Sequence, residues 1–197
     1  NAWDWFASEY PAIAKHLLPF EKKAKKRWDK GDYWWELRAC NYYYEFEKPK
    51  LIFPDISLRG NFTFDEQGGI YTVNTSYIIP LEDKYLLSLM NSRLFDFAYR
   101  NISPSYRGGY LRYIYQYIAK LPIRIININS PNDGSIHNSL EELVEHMLEL
   151  HKRTPQTPYE QERLDREIAA TDAQIDRLVY DLYGLNEEEI RIVEGKE

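Results

Sequence analysis

The chain contains one short apolar run with proline close to both of its ends, and this run constrains the fold more than any other segment. It comprises residues 51–53 (LIF), with Pro49 shortly before it and Pro54 directly after it. Proline cannot donate an amide hydrogen to a β-ladder, so it marks strand ends and edges rather than strand interiors. We therefore predict a short buried strand here, around which the middle of the chain is built.

Two segments after this run show the alternation expected of half-buried strands. Phe62 and Phe64 are separated by one polar residue, and every second position from Tyr71 to Tyr77 continues the pattern. Residues 65–69 (DEQGG) lie between the two segments, and their glycines take positive φ at low cost, which suits a hairpin turn. The pattern predicts a small antiparallel sheet.

Polar side chains between these strands are candidates for contact with DNA. Arg59, Asn61 and Asn74 can hydrogen-bond to base edges or to phosphates. The same residue types are common in turns, where they bond to the nearby backbone. The sequence alone leaves both interpretations open.

A second loop combines an arginine with two glycines. Residues 103–109 (SPSYRGG) place Gly108 and Gly109 beside Arg107, which allows the backbone to approach another molecule closely. Residues 110–115 then alternate as a strand does and include Arg112. Arg107 and Arg112 can reach phosphates or guanine, or they can be two solvated arginines on a surface loop.

A basic cluster near the N-terminus stands beside tryptophans. Basic side chains next to aromatic ones suit the phosphate backbone of a nucleic acid. The alternative is a solvated helix face followed by a core pair formed by Trp34 and Trp35. The phosphate candidates are Lys22, Lys23, Lys25, Lys26 and Arg27, to which we add Lys50 at the start of the proline-bounded run.

The last third of the chain has the pattern of two amphipathic helices. Residues 127–138 are polar and rich in turn-forming residues, so we place a domain boundary between residues 134 and 135. Ser139 and Glu142 have the spacing of a capping box for the first helix. A second helix is predicted from about residue 159 to residue 183, ending at Gly184. Residues 135–197 are thus predicted to form an antiparallel helical hairpin that acts as a spacer or docking element.

Charge and cysteine content restrict the partners and the compartment. The net charge of −6 is uneven, because residues 1–134 carry +3 and residues 135–197 carry −9. The first part can therefore present a basic face. A single cysteine, Cys40, excludes an intrachain disulfide and favours a reducing, cytoplasmic location. No apolar run approaches the roughly 20 residues of a membrane helix, and since the chain starts at Asn1 we expect a fragment.

No residue pattern in the chain predicts catalysis. We find neither a phosphate-binding glycine loop nor a dinucleotide fingerprint, and the histidines do not have zinc-ligand spacing. Asp55 after a proline, followed by the acidic pair Glu82-Asp83 and a lysine, loosely imitates the carboxylates of metal-dependent nucleases. The acidic pair also suits a helix start. We therefore predict no active site and no metal site.

Six segments in order resemble the TaqI-like C-terminal specificity domain. This is the target-recognition domain of restriction-modification enzymes that carry an adenine-N6 methyltransferase, and sometimes a nuclease, upstream in one polypeptide. The resemblance extends from about Pro11 onward. The segments are residues 48–57 (KPKLIFPDIS), 65–69 (DEQGG), 73–80 (VNTSYIIP), 85–97 (YLLSLMNSRLFDF), 107–123 (RGGYLRYIYQYIAKLPI) and 175–190 (IDRLVYDLYGLNEEEI).

The resemblance implies an α+β recognition domain at residues 1–134 that reads double-stranded DNA, with a small antiparallel or mixed sheet, flanking helices and the C-terminal hairpin. It implies that S-adenosylmethionine binds the upstream methyltransferase domain and that this fragment needs no cofactor. The base-reading candidates that it indicates by position are Arg59, Asn61, Asn74, Tyr106, Arg107 and Arg112. Two alternatives remain: a protein-interaction module that uses the acidic hairpin without binding DNA, and a nuclease.

Overall fold

The computed structural model describes residues 1–127 and 130–196. The chain divides into two compact units, Asn1–Tyr44 and Glu45–Glu197. The described residues form an α+β structure, in which short antiparallel strands are combined with helices. The predicted fold class is therefore confirmed.

The first unit consists of short helices and aromatic side chains. Its helices are α1 (Ala2–Glu9), α2 (Pro11–Leu17) and α3 (Glu21–Ala24), with a 3₁₀ turn at Leu18–Phe20 between the last two. Proline occupies the first turn of α2, where its missing amide hydrogen costs nothing. Trp3 packs against Trp34 and Trp35, with ring centroids 4.8 and 5.0 Å apart. These tryptophans thus pack within the first unit.

The second unit contains two small sheets. The strands are β1 (Lys50–Pro54), β2 (Ile56–Ser57), β3 (Thr63–Asp65), β4 (Ser76–Ile79) and β5 (Leu111–Arg112). The proline-bounded run forms β1, the central strand, which pairs antiparallel with both β3 and β4. A separate antiparallel pair joins β2 to β5.

The prediction that residues 65–69 form the turn of a β-hairpin is wrong. Both β3 and β4 pair with β1 and not with each other. The glycine turn instead closes onto the segment before β1, where the amide of Gly69 donates to the carbonyl of Phe46 at 2.7 Å. Gly68 has φ +74°, and a Cβ there would collide with the carbonyl oxygen of Glu47. The two glycines therefore serve a close backbone approach rather than a hairpin.

Helices complete the second unit. They are α4 (Lys84–Asn91), α5 (Arg93–Ile102), α6 (Tyr115–Ile118), α7 (Pro131–Lys152), α8 (Pro158–Tyr183) and α9 (Glu187–Glu194). Asp83 caps α4 by accepting the amide of Leu86 at 2.7 Å, which confirms the predicted acidic helix start. Gly184 ends α8 in the left-handed conformation, as predicted. Within residues 1–127 and 130–196, we find no helix with the length and apolar character needed to cross a membrane.

The predicted boundary between residues 134 and 135 falls inside α7. This helix begins at Pro131, so the predicted cap Ser139 lies within it. Proline suits the first turn of a helix, and the following polar residues and glycine occupy helical positions despite their turn-forming character. The two compact units are divided after Tyr44, and the assignment of separate functions to residues 1–134 and 135–197 stays a prediction.

The helices α7 and α8 are joined by five residues and pack as the predicted hairpin, but this hairpin is not a separate element. Its buried side chains share one core with the sheet and with α4 and α5. The backbone amide of Arg93 in α5 also donates to the carboxylate of Asp176 in α8 at 2.8 Å. The hairpin residues buried in this core are Leu140, Val144, Ile175, Val179 and Leu182.

Candidate nucleic-acid interface

One aspartate connects the two sheets of the second unit. Asp55 lies between β1 and β2, and its backbone amide donates to the carbonyl of Thr75 at 2.9 Å. Its own carbonyl accepts the amide of Tyr113 at 2.7 Å. The segment before β4 and the end of β5 are thereby fixed to the same residue.

The Asp55 side chain holds Arg112, which lies on β5 opposite Ile56. Nε of Arg112 donates to Oδ1 of Asp55 at 3.2 Å, and Nη2 donates to Oδ2 at 3.0 Å. The aspartate side chain is 15% exposed and the arginine side chain is 48% exposed. The hydrogen bond and the charge of Asp55 raise the pKa of Arg112 above its ordinary value. The pair therefore consists of a shielded carboxylate and a cation that faces solvent.

Buried tyrosines fix the backbone of β5 behind this pair. Tyr99 and Tyr113 stack with ring centroids 4.4 Å apart and an angle of 7° between the ring planes. The Tyr99 hydroxyl donates to the carbonyl of Arg112 at 2.6 Å and accepts the amide of Ile114 at 3.3 Å. Burial raises the pKa of both phenols, so both remain neutral at physiological pH.

A hairpin loop next to β5 presents a second arginine. The amide of Tyr106 donates to the carbonyl of Tyr110 at 2.7 Å, which closes the loop. Gly108 and Gly109 have φ of 71° and 79° at its tip. Arg107 makes no hydrogen bond or ion pair with the residues that the structure describes. This loop therefore carries a free guanidinium.

Two tyrosines from other segments lie close to the Asp55–Arg112 pair. The phenols of Tyr77 and Tyr106 are near enough to add to the raised pKa of Arg112. Asn74 is exposed and directly precedes the residue whose carbonyl fixes Asp55, and Arg107 directly follows Tyr106. Three separate segments thus bring Tyr77, Tyr106 and Arg112 together. With their chain neighbours these residues form a group that we call the Arg112 surface: Asn74, Tyr77, Tyr106, Arg107 and Arg112.

The other two predicted base readers lie at a different place. Arg59 and Asn61 line a cavity of about 460 Å³ whose walls also include α4, α7 and α8. Nδ2 of Asn61 donates to the Ser57 hydroxyl at 2.6 Å, and Asn61 adopts φ 48°. Asn61 therefore fits the turn interpretation, while the guanidinium of Arg59 has no partner among residues 1–127 and 130–196.

The chain was compared with protein families and solved structures. The family model of the TaqI-like C-terminal specificity domain matches residues 12–123. The chain belongs to this family. A solved structure of the type IIL restriction-modification enzyme MmeI in complex with DNA aligns with a TM-score of 0.57 and 19% identity. The alignment covers 81% of this chain and 21% of that one, so this specificity domain spans about a fifth of the MmeI chain.

The family match covers less of the chain than the sequence resemblance suggested. It ends at Ile123, and α7, α8 and α9 lie beyond it. The Arg112 surface lies entirely within the matched residues. The C-terminal helices of this specificity domain supply part of its core without being part of the matched region.

Lys50 does not fit its predicted role in phosphate contact. Its side chain is fully buried, and Nζ lies 2.5 Å from Oδ2 of Asp65 and 2.6 Å from the carbonyl oxygen of Phe46. A buried lysine with an acidic partner has no access to a phosphate. In this specificity domain Lys50 joins β1 to β3 as a structural ion pair.

The N-terminal basic cluster, in the other compact unit, is only partly available. Arg27 is half-buried and Nη2 donates to the carbonyls of Glu36 and Trp34 at 2.5 and 3.2 Å, so it stabilises its own loop. Lys25 pairs with Glu21 at 2.6 Å. Within this cluster, the exposed lysines that have no partner among the described residues are Lys22, Lys23 and Lys26.

Two of the three carboxylates that imitate a nuclease pattern have structural roles. Asp55 binds Arg112, and Asp83 caps α4. In the part of the chain that the structure describes, no three His, Cys, Asp or Glu side chains gather in a way that would hold a metal ion. The geometry of these residues gives the nuclease hypothesis no support.

Sequence reasoning missed Asp55 as the partner of Arg112. The two residues are 57 positions apart, and neither side chain has a local signal for the other. Tyr77 was assigned to a strand and not considered as a functional residue. The one available sign was the position of Asp55 at the end of a proline-terminated strand, where side chains are frequently used for function.

Proposed function

We propose that this specificity domain recognises a particular sequence in duplex DNA as part of a restriction-modification enzyme and holds the enzyme's catalytic domain on that site. Membership of the family supports the proposal. The observation that carries it is the Arg112 surface, where Tyr77, Tyr106 and Arg112 from separate segments lie close together on a fixed backbone, with Asn74 and Arg107 next to them in the chain. These are residue types that contact base edges and phosphates.

We assign the candidate residues to two kinds of DNA contact, with base edges and with phosphates. Base-edge contacts come from Asn74, Tyr106, Arg107 and Arg112, with Arg59 at a second place, where Asn61 shapes the turn. Phosphate contacts, which position the protein without specifying a sequence, come from Lys22, Lys23, Lys25 and Lys26. In the parent protein an upstream adenine-N6 methyltransferase domain would bind S-adenosylmethionine, with or without a nuclease, in the cytoplasm.

The direct test maps adenine methylation by the parent protein. The parent gene is expressed in a host free of DNA methylation, and modified adenines are located by single-molecule sequencing. We expect methylation at one recurring short motif, and we expect the motif to change when the specificity domain is exchanged for that of a relative. A soluble, expressed parent that leaves every adenine unmodified would contradict the proposal.

The lysines of the basic cluster are expected to contribute affinity without specificity. Replacing Lys22, Lys23 and Lys26 by glutamine should weaken binding to all duplexes alike. The slope of log affinity against log salt should become shallower by up to about 3, because each lost phosphate contact removes roughly 0.9. The measurement is a salt titration of binding to target and non-target duplexes.

A matched control removes the same number of charges elsewhere. Arg163, Arg166 and Arg177 are exposed on α8 and pair with acidic side chains there. Their replacement by glutamine should leave the salt slope unchanged. Equal effects of the two triple variants would show that the cluster acts only through net charge.

The interaction-module alternative has less support. The apolar stripe of the α7–α8 hairpin is buried in the core rather than free for a partner. What remains exposed on the hairpin is largely acidic and charged. A partner protein that co-purifies with the chain and is lost when the exposed acidic residues are neutralised, without any duplex binding at low salt, would favour this alternative.

A further inference from the structure

We propose that Asp55 is a positioning residue that fixes Arg112 to read one guanine of the target through its N7 and O6 atoms. This inference rests on the proposed function and adds to it the identity of one recognised base and a role for a carboxylate.

Asp55 occupies one edge of the guanidinium and leaves another edge free. A guanidinium has five N–H groups in a plane. Asp55 accepts from Nε and from one hydrogen of Nη2. The edge formed by Nη1 and the second Nη2 hydrogen therefore faces away from the carboxylate. It carries two parallel donors.

Two parallel donors match guanine better than any other base in the major groove. Guanine presents two acceptors side by side, N7 and O6, whereas adenine presents an acceptor next to a donor amino group. A donor of Arg112 that faces the adenine amino group would lose its hydrogen bond and be left unpaired. An arginine held with this edge outward thus discriminates between the two purines.

Neighbouring arginines differ from Arg112 in this respect. Arg100 also binds a carboxylate, Asp96, but its Nη2 donates to the carbonyl of Leu58, so its outer edge is already engaged. Arg107 and Arg59 have no carboxylate partner within residues 1–127 and 130–196. These two side chains have no carboxylate that fixes their orientation, whereas Arg112 combines a fixed orientation with a free edge.

The ion pair contributes more to orientation than to stability. A surface arginine–carboxylate pair contributes little to folding, because water screens it and both side chains lose rotamer freedom. An arginine without such a partner would lose its rotamer freedom when DNA binds, and this loss would reduce the affinity. Asp55 is itself fixed through its backbone amide and carbonyl, and Tyr99 fixes the backbone of Arg112. The ordering is therefore complete before DNA arrives.

The test is a binding selection with the parent protein on a randomised duplex library. Wild type is compared with Arg112→Gln, Arg112→Lys and Asp55→Asn, and with Arg166→Gln and Glu162→Gln, which alter an exposed pair on α8. The site selected by wild type is then remade with 7-deazaguanine, which lacks the N7 acceptor, at each guanine in turn. Thermal unfolding of every variant verifies that it is folded.

We expect the wild type to enrich a motif with at least one required guanine. Arg112→Gln should lose the preference at a single position by roughly 10- to 100-fold and keep the others. Arg112→Lys, which keeps the charge without the planar fork, should lose much of the same preference. Asp55→Asn should lower it at that same position by a smaller factor. 7-Deazaguanine there should weaken binding by wild type but not by Arg112→Gln, and the α8 controls should select the wild-type motif.

Other results overturn the inference in distinguishable ways. A motif that Arg112→Gln leaves intact would remove Arg112 as a reader, while the proposed function would stand. An Arg112-dependent position that is not guanine, or that tolerates 7-deazaguanine, would reject the guanine contact. Uniform weakening of all sequences by Asp55→Asn would reject its positioning role. A folded parent protein that enriches no sequence would overturn both the inference and the proposed function.

Discussion

Replacing Lys50 by alanine is expected to lower the free energy of unfolding by about 3–5 kcal/mol. The substitution removes the cation that lies 2.5 Å from Oδ2 of Asp65, while the Asp65 carboxylate stays 5% exposed. A buried charge that loses its partner pays its desolvation cost without compensation. Urea unfolding followed by circular dichroism measures the effect.

Two further variants test whether this loss of stability comes from the unpaired buried charge. Replacing the pair together, Lys50→Met with Asp65→Leu, should cost far less than Lys50→Ala, because no charge is left buried. Lys48→Ala removes a lysine whose side chain is 55% exposed and pairs with Glu45 at the surface, and it should cost less than about 1 kcal/mol. If Lys50→Ala and Lys48→Ala had the same small effect, the buried pair would not be important for stability.

The Lys50–Asp65 pair should also affect how the free energy of unfolding depends on pH in the acid range. Burial by itself raises the pKa of Asp65, but hydrogen bonds from Lys50 and from the amide of Ile70 outweigh it and hold the pKa below its ordinary value. The pKa of Asp65 is therefore lower in the folded state than in the unfolded state, where it is near 3.8. The stability that results is fully present above pH 3.8 and is lost as the pH falls through the folded-state pKa. Lys50→Ala should reduce this acid-dependent loss.

Asp176→Asn is expected to remove a loss of stability that the wild type shows between about pH 4 and pH 7. Burial raises the pKa of Asp176 to about 6, against the amide and the charge of Arg93, which lower it. The folded state thus holds a proton that the unfolded state has released above its pKa of 3.8. Stability is complete below that value and falls as the pH rises through 6, by about 3 kcal/mol for a difference of roughly two pH units.

The measurement is the free energy of unfolding at half-unit steps from pH 4 to pH 8. Asparagine keeps an oxygen that can accept the amide of Arg93, so the variant should fold and its pH profile should be flatter in this range. Asp165→Asn changes an exposed aspartate on the same helix and should keep the wild-type profile. Parallel profiles for wild type and Asp176→Asn would show that Asp176 titrates normally.

Features with a local cause were predictable from the sequence. Pro54 marks the end of β1 because proline cannot extend a ladder, and Asp83 and Gly184 mark helix ends because their side chain and backbone satisfy helix termini. Each of these signals acts within a few residues. The sheet, the α4 start and the end of α8 followed from them.

Features that depend on distant partners were not predictable in the same way. The order β3–β1–β4 depends on the glycine turn packing against Glu47 and Phe46, which alternation alone cannot show. Lysine is usually found at the surface. The side chain of Lys50 is buried because it pairs with Asp65, 15 positions later, and the local sequence gives no sign of this partner. In the candidate interface, the sequence identified Arg112 as a base-reading candidate but did not identify Asp55, the carboxylate that binds it.

The shared core determines where this protein can be divided in engineering and in evolution. A piece cut at the end of the family match, after Ile123, would keep Leu51 and Leu89 but remove Leu140, Val179 and other side chains that belong to the same core. Such a piece would expose a broad apolar surface and aggregate. A division of the chain that keeps the second unit, Glu45–Glu197, whole therefore leaves this hydrophobic interior intact.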